Sequence, residues 1–114
     1  MDRNLDFNDQ VVSKFCYDID NKKIEVYYSD FWSRDDDGNI VSQNCLLTIE
    51  NWTSAKSRLG DEPKFYPLDK HIGIFSMIIF TELKKKDLTI IVNTINDTYI
   101  TLQFDDPQIA FVVL

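Results

Sequence analysis

Lys14-Phe15-Cys16-Tyr17-Asp18-Ile19, then Asp20-Asn21-Lys22, then Lys23-Ile24-Glu25-Val26-Tyr27-Tyr28 is the stretch that decides the fold. Phe15, Tyr17 and Ile19 alternate with Lys14, Cys16 and Asp18. After the interruption, Ile24, Val26 and Tyr28 alternate with Lys23, Glu25 and Tyr27. A period of two sends successive side chains to opposite faces of a strand. Asp20 and Asn21 are residues whose side chains bond the local backbone, so the interruption reads as a turn and the whole as a β-hairpin.

The same pattern continues outward. Ser33-Arg34-Asp35-Asp36-Asp37-Gly38-Asn39 is a second turn, whose Asp37-Gly38 pair suits the positive backbone angles of tight hairpins. Cys45, Leu47 and Ile49 then alternate with Asn44, Leu46, Thr48 and Glu50. Asn51 reads as a helix N-cap, with Trp52, Ala55 and Leu59 at helical spacing before Gly60. Pro63 and Pro67 make residues 60–70 a connecting loop.

From His71 to Phe80 nearly every residue is apolar, and Ile72, Ile74, Ile78 and Ile79 favour a strand covered on both faces. Lys84-Lys85-Lys86-Asp87 turns the chain into Leu88, Ile90 and Val92. Asn96-Asp97 turns it into Ile100, Leu102 and Phe104. Asp105-Asp106-Pro107 breaks pairing, and residues 109–114 form a last apolar strand. The expectation is a mainly β (α+β) single domain over residues 1–114, with residues 1–10 frayed. It is an antiparallel curved sheet or sandwich of six to seven strands with one short helix near residues 52–59.

Composition narrows the function. At 114 residues, 44% of them hydrophobic, the chain supports one real core. A net charge of -7 opposes attraction to phosphate backbones and anionic lipid, so neither nucleic acid nor membrane is expected as a partner. Residues 1–57 hold eleven of the nineteen acids, which places any negative patch on the first half. Met1 to Asp6 has no basic start or apolar stretch of a signal peptide, so a cytoplasmic location is expected.

No catalytic constellation is legible, and the expectation is a protein that is not an enzyme. Asp35, Asp36, Asp37 and Gly38 suggest a calcium loop, but Asn44 stands where the bidentate Glu belongs, so no metal is expected. His71 is the single imidazole and has no triad partners near it in sequence, which favours a local hydrogen bond at a strand edge. Asp105 and Asp106, as neighbours on a strand, point to opposite faces. Cys16 and Cys45 lack ligand spacing and read as reduced, buried thiols, with a disulfide between them as the alternative. The three glycines are scattered, so no phosphate loop and no cofactor are expected.

The candidate binding residues are Tyr27, Phe31, Trp32, Asp35, Asp36 and Asp37. Trp and Tyr framed by polar groups contribute disproportionately to protein interfaces, and the other reading of Tyr27, Tyr28, Phe31 and Trp32 is a core lining with Trp32 covering its rim.

Cys45-Leu46-Leu47-Thr48-Ile49-Glu50-Asn51-Trp52, and the ending Tyr99-Ile100-Thr101-Leu102-Gln103-Phe104-Asp105-Asp106-Pro107, resemble small bacterial immunity-type proteins found beside polymorphic toxins, and related uncharacterised bacterial domains. The resemblance implies a non-catalytic inhibitor that masks a basic toxin with an acidic surface, and it carries over no residue by position. Two alternatives stand beside it. One is a carrier of a small apolar ligand in a pocket enclosed by the curved sheet, a reading that an interior filled by Phe15, Ile74, Ile78 and Leu102 would exclude. The other is a self-associating module, a homodimer pairing residues 109–114 across a two-fold axis.

Overall fold

The computed structural model describes residues 10–114. Of the stretch expected to fray, residues 1–9 lie outside the described residues, and Gln10 is buried rather than loose. In chain order the elements are β1 (Lys14–Asp18), β2 (Lys23–Arg34), β3 (Ile40–Glu50), β4 (Ser54–Leu59), β5 (Tyr66–Pro67), α1 (Leu68–His71), β6 (Phe75–Lys84), β7 (Asp87–Thr94), β8 (Tyr99–Asp105) and β9 (Gln108–Val113).

All pairings are antiparallel, and they build two sheets. One runs β1-β2-β3-β9, the other β5-β4-β8-β7-β6. The architecture is thus the antiparallel β class that the alternation predicts, as a two-sheet sandwich and not a closed barrel.

The opening hairpin is as the alternation requires. Phe15 lies opposite Val26 and Tyr17 opposite Ile24, with Lys22 in the turn at φ 49°. Ile24 and Val26 from the first sheet and Val92, Leu102 and Phe104 from the second are all at 0% exposure in one core. Phe15 crosses to Phe75 with ring centroids 4.3 Å apart, a direct contact between the sheets. Burying each such aliphatic side chain is worth about 1.5–3 kcal/mol, so the shared core is what binds the two sheets together.

Residues 52–59 are not a helix. Ser54–Leu59 is strand β4, with Ala55 opposite Phe104, Ser57 opposite Leu102 and Leu59 opposite Ile100. Ala55, Ser57 and Leu59 form the inward face, and the polar Ser57 disguises that alternation. Its buried hydroxyl lies 3.1 Å from the carbonyl oxygens of both Pro67 and Leu68, which satisfies it inside the core. Pairing completes the ladder of β8, and that outweighs a weak local preference for helix. Asn51, read as an N-cap, sits at φ 56° where the chain leaves one sheet for the other, a conformation asparagine tolerates. Trp52 then buries against Phe104, with centroids 5.0 Å apart.

Among the described residues the helical turn is Leu68–His71, at the end of the stretch read as loop and one residue beyond it. His71 therefore closes a helix and does not open a strand. The apolar run starts pairing only at Phe75, and Ile74 is 52% exposed while Phe75 is buried. Gly73 allows that approach, because a Cβ there would stand 2.9 Å from the Thr94 Cγ2. The strand is an edge strand with register shifts at Phe75/Met77 and Ile78/Phe80, and only Phe75 and Ile78 in it are buried, so it is not covered on both faces.

Candidate functional site

The β2–β3 hairpin outruns its neighbours. β1 reaches only Tyr27 on one side, and β9 reaches Cys45 on the other, where the Leu114 N–H also donates to the Asn44 carbonyl at 2.7 Å. Phe31 to Gln43 thus forms a two-stranded arm paired chiefly with itself. Its register shifts by one between Tyr28 and Phe31, so Ser29 and Asp30 form a bulge.

The bulge decides which rings face out. Tyr28 and Phe31 both bury, edge to face with centroids 5.3 Å apart, and Phe31 also packs on Phe111 at 5.0 Å. Phe31 is therefore a core ring and not the surface contact that the binding-face reading made it, while Trp32 covers the rim as the core-lining reading has it. Trp32, next along the strand, is turned to the outer face and is 47% exposed. Gln10 fixes the backbone there. Its amide donates to the Trp32 carbonyl at 2.9 Å and accepts from the Trp32 N–H at 3.1 Å.

Tyr27 lies on the same outer face, half-buried. Its hydroxyl donates to Glu25 Oε2 at 3.1 Å, which raises the phenol above its usual pKa, and the Lys14 ammonium sits 5.4 Å over its ring. The register lines Tyr27 up with Leu46 and Val112 across three strands. Farther along the arm, Ile40 is 64% exposed. The outer face therefore carries two apolar pairs, Tyr27 with Leu46 near the sheet and Trp32 and Ile40 along the arm, with the polar Asn44 and Ser42 between Leu46 and Ile40. Leu46 and Ile40 were missed as site residues. The signal for Leu46 was present, since it alternates out of phase with the buried Cys45, Leu47 and Ile49.

At the tip, Asp35 is used by the turn itself. Its Oδ1 accepts from the N–H groups of Asp37 at 3.0 Å and Asn39 at 2.9 Å, and Gly38 takes φ 82°. Arg34 donates to the Gly38 carbonyl at 2.9 Å. Asp36 and Asp37 remain exposed at the tip, beside Arg34, while Asp30 lies in the bulge at the base of the arm. The structure thus puts Tyr27 and Trp32 on the outer face of β2 and Asp36 and Asp37 exposed at the tip of the same arm, gives Asp35 a structural role and buries Phe31.

Elsewhere the polar groups serve the fold. Cys16 and Cys45 are both free thiols, Cys45 buried and Cys16 half-buried. His71 meets Tyr66 edge-on at 5.4 Å. Asp105 accepts from Ser54 Oγ and takes a further hydrogen bond from Thr53 on its carbonyl. A cleft of about 390 Å³ between the β6–β7 tip and the end of β8 is lined by Glu82, Lys84, Lys85, Asp87 and Asp105 among others, a mixed-charge surface rather than an apolar chamber. Among the described residues no helix is long and apolar enough to cross a membrane. No family model, curated protein or solved structure matches this chain.

Proposed function

We propose that this is a non-catalytic protein-binding domain that grips a basic partner with the outer face of its β2–β3 arm. The observation that carries the reading is the arm itself, which holds Trp32 and Ile40 exposed and ends in a tip where Asp36 and Asp37 are exposed. An exposed tryptophan on a backbone fixed by Gln10 costs little entropy to bind, and acidic neighbours steer a basic surface towards it. An immunity-type inhibitor of a basic toxin fits that chemistry, and so does the bacterial resemblance of the β3 and β8 segments. A cytoplasmic setting belongs to the same reading. Small-ligand carriage has less support, because the side chains between the sheets pack against one another.

The test is native mass spectrometry of the protein purified from its own cells, followed by binding kinetics with any partner recovered. The expected result is a stoichiometric complex with a basic protein, lost with Trp32→Ala and slowed in association with Asp36→Lys. Recovery of no partner, or of one indifferent to both substitutions, would overturn the reading.

A further inference from the structure

We propose that the β5 margin of the second sheet is a docking site for an extended acidic segment of another protein. The chain is acidic as a whole, with nineteen acids against twelve bases. Four of those bases, Lys56, Arg58, Lys64 and Lys70, nevertheless gather around two rings at this margin. Lys56 Nζ lies 4.9 Å and the Arg58 guanidinium carbon 4.8 Å from the Phe65 ring centroid. Lys64 Nζ and Lys70 Nζ lie 5.2 Å and 5.7 Å from that of Tyr66. A cation over an aromatic ring is attracted by the ring quadrupole, so each ring holds together two cations that would otherwise repel one another.

The register sets the two groups on opposite sides of the margin. β5 is the last strand of its sheet, and in it Tyr66 stands opposite Ser57 of β4. Ser57 is buried on the core side, so Tyr66 belongs to that side, with the two ammonium groups over its ring. Lys56 and Arg58 flank Ser57 in β4 and therefore point to the outer side.

This charge is not spent within the fold. Lys56, Lys64 and Lys70 are exposed, and Arg58 is half-buried with its Nε buried and without a hydrogen-bond partner. Among the described residues no carboxylate forms an ion pair with any of the four. Of the acids near them in sequence, Asp69 accepts from the Tyr17 hydroxyl at 2.5 Å, while Asp61 and Glu62 lie exposed after β4.

The occupant follows from the arrangement of the cations. Lys56 and Arg58 are two residues apart in a strand, and an extended chain repeats its side chains on one side at the same interval. The intervening side chains go to the other side, where Lys64 and Lys70 stand. Consecutive carboxylates of an extended segment thus meet cations on both sides of the margin. No main-chain ladder is required, which matters because Pro67 has no N–H to offer one. A nucleic acid strand fits less well, because the rings on which its bases would stack already hold cations, and a net charge of -7 opposes a long polyanion. The margin belongs to the second sheet and is opposite in charge to the tip of the β2–β3 arm, so the proposal stands or falls apart from the partner proposed for that arm.

Fluorescence anisotropy with labelled hexaglutamate at low salt, together with amide shift mapping by NMR, tests the site on the full chain. Hexaglutamate is expected to bind and to shift amides within residues 56–71. Binding should weaken about fivefold after Lys56→Gln with Arg58→Gln, and by a similar factor after Lys64→Gln with Lys70→Gln. Lys84→Gln with Lys85→Gln removes the same charge from the β6–β7 connection and should leave the affinity within about twofold. The mapping on the unmodified chain decides the matter should a variant not fold. Absence of binding, shifts centred outside residues 56–71, or an equal loss in all three double variants would overturn the proposal. So would tighter binding of an oligothymidylate of equal charge, which would make the margin a nucleic-acid site.

Discussion

The Gln10 side-chain amide and the Trp32 backbone exchange two hydrogen bonds, so a glutamine side chain stands in for a strand residue at the outer margin of β2. Beyond Tyr27 the strand β1 no longer covers β2, and Gln10 takes up the pairing where Trp32 needs it. Gln10→Ala leaves both main-chain groups without that partner. The expected cost is about 1–2 kcal/mol in urea unfolding, with faster exchange of the Trp32 amide. Gln10→Glu keeps an acceptor for the N–H but sets a carboxylate oxygen against the carbonyl, so it should fall between the two. An unchanged Trp32 exchange rate in Gln10→Ala would show that the amide does not hold the strand.

Adjacent aromatic residues should respond in opposite ways. Phe31 is 2% exposed between Tyr28 and Phe111, and Phe31→Ala is expected to cost about 3–5 kcal/mol of stability. Trp32→Ala removes a ring that is 47% exposed, and stability should move by no more than about 0.5 kcal/mol. Thermal and urea unfolding of the two variants side by side decide the point. Equal destabilisation would mean that the Ser29–Asp30 bulge does not set the two rings on opposite faces.

How much could be read in the sequence follows from where its period was undisturbed. The hairpin Lys14–Tyr28 and the inward sets of β3, β7 and β8 carry clean alternation of apolar and polar residues, and the structure pairs them accordingly. β4 was hidden because Ala55 and Ser57 are small or polar at core positions. Only the ladder of β8 and the carbonyls of Pro67 and Leu68 make Ser57 an inward residue. The bulge at Ser29 and Asp30 has no period to betray it, and it exchanged the faces of Phe31 and Trp32 in the candidate site. The acidic tip was legible as a turn, whereas the division of labour between Asp35 and its neighbours depends on which carboxylate the turn consumes.

Backbone strain at the β6–β7 connection gives a stabilising substitution. Lys84 pairs with Asp87, so Lys85 and Lys86 alone make the turn, and Lys85 is held at φ 59°. That region crowds a Cβ against the following carbonyl, and glycine escapes the crowding. Lys85→Gly is expected to gain about 0.5–1 kcal/mol in denaturant unfolding, after the added freedom of glycine in the unfolded chain is set against the relieved strain. A loss of stability would show that Lys85 contributes through its side chain and not through its conformation.

Alkaline pH should unfold the protein through its phenols. Burial pushes the Tyr28 phenol well above its usual pKa, and the thiol of Cys45, which faces it across the ladder, is raised by burial as well. Tyr17 is raised by its surroundings and by donating a hydrogen bond to Asp69 Oδ1 at 2.5 Å. A raised value in the folded state means that the unfolded chain releases its proton first. The stability these groups contribute is complete below their unfolded values, about 10 for tyrosine, and is lost as pH climbs from there towards the folded values. For Tyr28 the loss is at most about 1.4 kcal/mol per pH unit. Urea unfolding from about pH 8 to about pH 12 should show this falling limb, shallower in Tyr28→Phe and shallower again when Tyr17→Phe is added. An alkaline limb equally steep in all three proteins would place the sensitivity on groups other than these two phenols.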